Sequence, residues 1–380
     1  MLVFPTVALT LSDAWGVSYG EMLSGFFVGS MVYGFAAYPA GWLGDRWSDW
    51  GMMVVYFMGT GVAAIATGFS QNLDHLILGL AFIGLFASIY HPVGTALVVR
   101  LAVNRAHDLG RNGAWGTAGL ALSALLSAGL TYLLGWRSAF FIPGIFCCVL
   151  GVAFIVMTRP IPRSEKIVLK PSGTDVRTVL IPQFLRVLSI MSFTVLAVGI
   201  FTQAFTTGLP NLYDKTLKSF VDLLDLETDL SRAVTASFVS LVILFGALGQ
   251  IIGGRLSARY SPKIVYVGMF LFILPLTFLS LVLDGPALII VGAIMMLAIT
   301  GCLPAENCIL VHFAPETWLS RLFSLKFVLG LGGGSVALLA NGFIFDQSQG
   351  FSWFFLFLGF LALVVVLGGL FLPKILVHEG

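Results

Sequence analysis

Charge is what this chain has least of. Asp, Glu, Lys and Arg make up 10% of its 380 residues, against about 25% in an ordinary soluble domain. A soluble fold of this length could not cover its surface with so few charges. The residues AVILMFWYC supply 58% of the chain and the mean hydropathy is +0.99, so the sequence describes a polytopic protein whose solvent is largely lipid. Cysteine is scarce as well. Cys147, Cys148, Cys302 and Cys308 form no C-x-x-C pair and read as small apolar packing residues. Neither H-E-x-x-H nor G-x-S-x-G occurs, and no glycine cluster ends in a Walker-type Lys-Ser/Thr. No enzyme activity, metal or cofactor is therefore expected. No sign of charge is in excess, with 20 Lys+Arg against 18 Asp+Glu, which argues against a nucleic-acid partner. The first residues lack a basic n-region and a small-residue cleavage site, so they are not a signal peptide.

What is abundant is long apolar runs, Phe (33) and Gly (43), the residues that fill lipid-facing volume and let membrane helices approach closely. A crossing helix needs about 20 apolar residues. Eleven runs meet or approach this: Met22–Leu43, Met52–Phe69, Leu76–Val99, Gly113–Leu134, Ala139–Met157, Val187–Leu209, Val234–Gly254, Ile264–Leu283, Ala287–Phe313, Phe327–Phe345 and Trp353–Leu372. Met1–Leu11 is also apolar but spans only half a bilayer at about 1.5 Å per residue. It is taken as the second half of a truncated first span, with about 10 further apolar residues expected upstream. The expected fold is all-α, with twelve spans.

The breaks between runs carry the topology. With Met1–Leu11 as span 1, the loops after spans 2, 4, 6, 8 and 10 and the C-terminal tail hold 16 Lys and Arg, and the opposite side holds 4: Arg137, Lys215, Lys218 and Arg232. Basic residues in short loops stay cytoplasmic, so both termini are expected inside, in a bacterial cytoplasmic membrane. The Pro- and Gly-bearing basic stretch 159–183 reads as a cytoplasmic linker between an N-terminal bundle (1–158) and a C-terminal bundle (184–380). On the outer side, Leu217, Phe220, Val221 and Leu224 follow i, i+3, i+4, i+7 spacing amid acidic residues, the pattern of an interfacial helix.

The halves repeat weakly. Gly41-Trp-Leu-Gly-Asp45-Arg46-Trp-Ser after span 2 aligns with Gly254-Arg-Leu-Ser-Ala258-Arg259-Tyr-Ser after span 8, 213 residues on. Pro92 falls near Pro304, and Gly116 and Gly119 fall on Gly330 and Gly333. Parallel repeats of this kind are a known transporter architecture. On these residues the whole chain resembles the major facilitator superfamily, and Tyr90-His91-Pro92 with Arg100 resembles its fosmidomycin-resistance-type branch. The resemblance implies two six-helix bundles related by a pseudo-two-fold axis. It also implies that Gly41, Asp45, Arg46 and, in the second copy, Arg259 belong to a cytoplasmic latch. The latch acid is set near the start of span 11, and the loop's basic residues tie the halves when the protein opens outward. The sequence departs from the family where Ala258 replaces the second acid and Ser48-Asp49-Trp50 replaces the basic ending of the motif. Span 4 lacks an early Arg, and span 5 lacks the Gly-Pro signature of drug/proton antiporters. These gaps argue against proton-antiport drug efflux.

Ionisable groups at membrane depth cost about 2.5–3.5 kcal/mol each on insertion scales and are functional candidates by default. Glu306 and His91 are the two candidates for exchanging protons with a coupling ion gradient; a packing histidine beside Pro92 is the plainer alternative for the second. Tyr33, Tyr38, Tyr90, Gln203, Thr206, Asn307 and Asn341 are candidate solute-cavity residues, on spans that line the pore in the superfamily; each taken alone is more often a group for helix–helix hydrogen bonding. Lys326 is expected to snorkel to the interface. The glycine sets 113/116/119, 246/249/253 and 330/332–334 read as close-packing positions. Two functions remain: a monomeric secondary transporter moving a small solute by alternating access, with protons as candidate coupling ion, and a non-transporting membrane scaffold or sensor. A cavity with few charges suits a neutral or amphipathic solute, or an organic anion met by His91.

Overall fold

The computed structural model describes residues 7, 11, 15–17, 19–158, 180–217, 228–314, 318–347 and 351–373. Most of the expected linker (159–179), residues 220–224 of the expected outer interfacial helix, and Lys374 lie outside them.

Each of the eleven apolar runs falls on a helical segment. We number the helices α1 (Tyr19–Arg46), α2 (Asp49–Gly68), α3 (Leu73–Ala87), α4 (Thr95–Leu101), α5 (Arg105–Leu134), α6 (Ser138–Thr158), α7 (Leu180–Thr216), α8 (Thr228–Arg259), α9 (Pro262–Leu279), α10 (Ala287–Phe313), α11 (Leu319–Gln347) and α12 (Ser352–Leu370). Span 4 is α3 and α4 joined through a π-helical turn, Tyr90–Gly94. Among the described residues, eight helical segments are long and apolar enough to cross a bilayer by themselves. The remaining long helices, α1, α5 and α11, carry more glycine and polar residues.

Short polar signals set the boundaries. Ser48 caps α2, its Oγ accepting from Gly51 N at 3.1 Å, and Asn72 caps α3, its Oδ1 accepting from His75 N at 2.9 Å. The α9–α10 turn needs a positive φ at Gly285 (61°), where Asp284 Oδ1 takes the Gly285 N–H. In span 4, Pro92 has no N–H to give and its ring crowds the preceding turn; the chain answers with the π-turn, a wider loop of backbone that recurs at functional positions.

Two compact units result. The first comprises residues 1–101, 122–178 and 315–328: α1 to α4, the second half of α5, α6 and the start of α11. In it α1 packs on α3, and α2 on α3 and α6. Val7 and Leu11, with no exposed surface, join Leu76, Leu80, Ala139 and Phe140 in one core cluster, while Trp15 meets Trp136 edge to face at 5.7 Å. The second unit comprises residues 102–121, 179–314 and 329–380. Its core holds Phe201, Phe205, Tyr266, Phe270 and Phe354, with Phe201 and Phe270 edge to face at 5.8 Å. Here α8 and α10 run in backbone contact. Gly246 O accepts from Thr300 Oγ1 at 2.6 Å, and a Cβ at Gly253 would collide with the carbonyl of Gly301. The glycine expectation is corrected in α5. Gly113 is pressed against Gln250, but a Cβ at Gly116 or Gly119 would meet open space. Those two glycines serve no close approach within the described residues.

Candidate functional site

The latch segment forms where α1 ends. Gly41 brings that end against the first turn of α11, since a Cβ there would collide with Ser324 Oγ and the backbone of Ser320. Ser324 Oγ uses this closeness to donate to Ala37 O at 2.9 Å. The first N–H groups of a helix have no partner within it and carry partial positive charge. Asp45 supplies one: Oδ1 accepts from Ser320 N at 3.2 Å and Oδ2 from Arg321 N at 3.0 Å. The carboxylate, 1% exposed, also accepts from Arg100 Nη2 at 3.0 Å and has Arg321 Nε at 3.7 Å. Arg100 in turn pairs with Asp49 in the first turn of α2. Four helix ends of the first unit are thus joined by two acids and two arginines.

Arg46, assigned to the latch from the sequence, is not part of this network. It is exposed and lies over the Trp42 ring at 5.3 Å. Arg259 likewise lies over its neighbour Tyr260, at 5.6 Å. The cation that reaches Asp45 comes from the end of span 4, and sequence spacing around Asp45 could not point to it. In the second unit, where Ala258 leaves no acid, the loop after α8 uses Lys263 instead, whose Nζ donates to Leu370 O (2.9 Å) and to Leu372 O at the α12 C-terminus. A cation at a helix C-terminus is favourable for the dipole and satisfies its last carbonyls.

Deeper in the first unit, the π-turn holds Tyr90 and His91 out from α3. His91 stacks on Phe327 of α11 at 4.4 Å and 29°, with Tyr33 of α1 edge-on at 6.0 Å and Tyr90 at 5.7 Å; Tyr90 in turn lies 5.3 Å from Tyr56. Lys326, next to Phe327, has its Nζ 5.6 Å from the centre of that ring. The snorkelling expectation for this lysine is not met. Lys326 is 8% exposed and buried among the helices. Tyr38, by contrast, is exposed on α1.

In the second unit, Glu306 of α10 is 1% exposed and interacts with Tyr266 of α9, itself fully buried and also in contact with Thr194 of α7. The carboxylate is therefore enclosed within one unit's packing, next to Pro304, and Asn307 beside it is half-buried. Asn341 is buried and bridges helices: Nδ2 donates to Ala204 O at 2.9 Å and to Thr207 Oγ1 at 3.0 Å. Thr206 Oγ1 returns its proton to Thr202 O in its own helix, while Gln203 is half-buried and its carbonyl accepts from Thr207 Oγ1. Gln250 and Thr117 pair at 2.7 Å between α8 and α5. Among the described residues no three His, Cys, Asp or Glu side chains come together as a metal site.

The Major Facilitator Superfamily profile matches residues 1–221 and 212–378. The chain belongs to that superfamily. Relatives in sequence include the 4-hydroxybenzoate transporter PcaK of Pseudomonas putida, 26% identical over 90% of this chain and 83% of that protein. The protein of the same name from Pseudomonas aeruginosa is 29% identical over 46% of this chain and 40% of its own length. Among solved structures, the superfamily transporter FucP in its outward conformation superposes with a TM-score of 0.73 at 13% identity, covering 98% of this chain and 97% of that one. A single-residue variant of the Escherichia coli fucose:proton symporter FucP gives 0.69 with the same coverage and identity. As a superfamily member the chain is an integral membrane protein and a secondary transporter of a small solute, not an enzyme.

The ionisable groups described above have two settings. Asp45, Asp49, Arg100 and Arg321 lie at helix ends and pair with one another. Glu306 and Lys326 are buried within the helix packing, where a charge costs about 2.5–3.5 kcal/mol on insertion scales.

Proposed function

We propose that this chain is a proton-coupled transporter of a small organic acid. The observation that carries this is the Asp45 network. The start of α11 belongs to the second sequence half, and a buried carboxylate of the first half holds it through two backbone N–H groups and two arginines. Such a tie closes the cytoplasmic end when made and opens it when broken, and a charge at a partly buried helix N-terminus is worth up to about 2 kcal/mol. That is enough to bias an equilibrium between two states and too little to lock it. A scaffold or sensor would have no use for a tie of that strength.

In this reading the two bundles are 1–158 and 184–380, joined by 159–183, with both termini in the cytoplasm of a bacterium. The latch role of Gly41, Asp45 and, as rim cations, Arg46 and Arg259 is part of the proposal. Glu306 and His91 are the proton-coupling groups, and Tyr33, Tyr38, Tyr90, Gln203, Thr206, Asn307 and Asn341 are the solute-cavity candidates. The organic-acid class is supported by the sequence relationship to 4-hydroxybenzoate transporters. The likeness of Tyr90-His91-Pro92 and Arg100 to the fosmidomycin-resistance-type branch concerns the chemistry of span 4 and names no solute. The test is uptake of radiolabelled 4-hydroxybenzoate by proteoliposomes. Accumulation that requires an imposed inward proton gradient and collapses with a protonophore is expected; uptake no faster than in empty liposomes, for this and a panel of small acids, would overturn the reading.

A further inference from the structure

We propose that the groove between α2 and α6 binds one phospholipid of net negative charge, with an acyl chain in the groove and the phosphate at Arg46. Ile145, Val149, Val152 and Val156 stand at i, i+4, i+7 and i+11 on α6, along one face of the helix, and each is more than half exposed. With Ile65 of α2 and Met157 they line an open groove of about 610 Å³ in which no side chain carries nitrogen or oxygen. Its length points to the occupant. Residues 145 to 157 cover about 18 Å at ~1.5 Å per residue, and half of a ~30 Å hydrocarbon core is about 15 Å. The groove thus matches the depth of a single leaflet, and it stops where α6 ends at Thr158. On the orientation proposed above, that leaflet is the cytoplasmic one.

The end of the groove carries the charge. In the first unit α2 and α6 run antiparallel in close contact: a Cβ at Gly144 would meet Ile65, and one at Gly151 would meet Met58. The two pairs are seven residues apart on both helices, close to two turns. One more step along the same faces sets Gly51 beside Thr158. Trp47 lies there, since a Cβ at Gly51 would come within 3.0 Å of its ring, and the indole is 60% exposed. An exposed indole at the end of a crossing helix belongs at headgroup level. Arg46, the residue before it, is exposed, lies over the Trp42 ring and forms no ion pair with an acid among the described residues. A cation held at this level attracts anionic lipid, whereas a zwitterionic headgroup would bring its own cation towards the guanidinium. The site gives Arg46 a partner that the Asp45 network does not.

Native mass spectrometry of the purified full chain, titrated in detergent with phosphatidylglycerol or with phosphatidylethanolamine, reads the binding. The wild type is expected to retain one phosphatidylglycerol, about fivefold more tightly than phosphatidylethanolamine, the preference one basic residue confers near an anionic surface. Arg46→Gln should bring the two lipids within about twofold of each other, and Arg46→Lys should keep most of the preference. Val152→Trp fills the groove from an exposed position and should weaken both lipids at least fivefold; Val149→Trp reads the same space from the neighbouring turn. Unfolding midpoints in lipid-free detergent that match the wild type show that the variants are folded. Glycerol 3-phosphate, a headgroup without chains, should not compete. Equal binding of the two lipids by the wild type, wild-type binding by both tryptophan variants, competition by glycerol 3-phosphate, or a dimer of the chain in place of a bound lipid would each overturn the proposal. Solute movement is not measured, so these outcomes leave the transport reading standing, and a chain that moved no solute would still bind the lipid.

Discussion

The Asp45 carboxylate accepts the backbone N–H of Arg321, 276 residues away in sequence, at 3.0 Å. It is bound to the first turn of α11 as an acid at a helix N-terminus, and Arg100 holds it from the other side. Asp45→Asn keeps the shape and one acceptor oxygen but removes the charge. With up to about 2 kcal/mol at stake, the ratio of outward- to inward-facing protein should fall by up to roughly 30-fold with expression unchanged. Labelling of single cysteines placed along α7 and α11 from the outer side reports this; equal rates in both proteins would reduce the network to a static crosslink.

Arg100 should matter more than Asp45. It is the shared partner of two carboxylates whose side chains are 1% and 8% exposed. Removing it leaves Asp49 without its arginine and Asp45 with Arg321 alone, and breaking a charge pair costs about 3–5 kcal/mol in a fully buried setting. Arg100 is itself 30% exposed, and water screens part of that, so a loss of about 2 kcal/mol is expected for Arg100→Gln. Adding Asp49→Asn should recover a large part of it. Thermal unfolding of the purified single and double variants measures the coupling; strictly additive losses would show that Arg100 and Asp49 act independently.

The glycines separate into two groups with opposite predictions. Gly253→Ala places a Cβ against the carbonyl of Gly301, and backbone is the element least able to give way. Overpacking of this kind costs about 1–3 kcal/mol, so a clear drop in unfolding temperature is expected. Gly116→Ala meets open space and replaces a weak helix former with the best one, so stability should hold or rise. Scanning fluorimetry in one detergent compares the two directly.

The contrast between those glycines also marks what could be seen in the sequence. Length and apolarity located the helices, because crossing a bilayer leaves a run of about 20 residues that nothing else explains. Asp45 was visible because a charged motif stood in a loop. Within the runs the signal fails. A helix that is apolar on every face gives no periodicity to say which side meets protein and which meets lipid. Gly113 and Gly116 therefore read alike, Lys326 could be taken for an interfacial lysine, and nothing in the spacing told that Arg100 rather than Arg46 would reach Asp45. Tertiary contacts between residues 55 and 276 positions apart decide those points.

Glu306 tests coupling itself. The side chain is 1% exposed and set against Tyr266 within one unit. A proton carrier must change its charge during the cycle, and a charge enclosed there is costly. On the proposed coupling role, the packing of α7, α9 and α10 around this carboxyl has to differ between the two ends of the cycle. Glu306→Gln fixes the neutral form with almost the same shape. It should abolish accumulation driven by a proton gradient, by at least 10-fold, and leave solute exchange at equal pH on the two sides within about twofold of wild type, a split in rate that a merely destabilised protein would not produce. Tyr266→Phe removes the hydroxyl facing the carboxylate and should lower accumulation less, with exchange retained. His91→Ala should lower binding and accumulation together, because it removes the ring stacked on Phe327 and edge-on to Tyr33. Counterflow and gradient-driven uptake in the same proteoliposome preparation separate these outcomes. Accumulation by Glu306→Gln at the wild-type level would make Glu306 a structural hydrogen-bonding group and move the coupling role to His91.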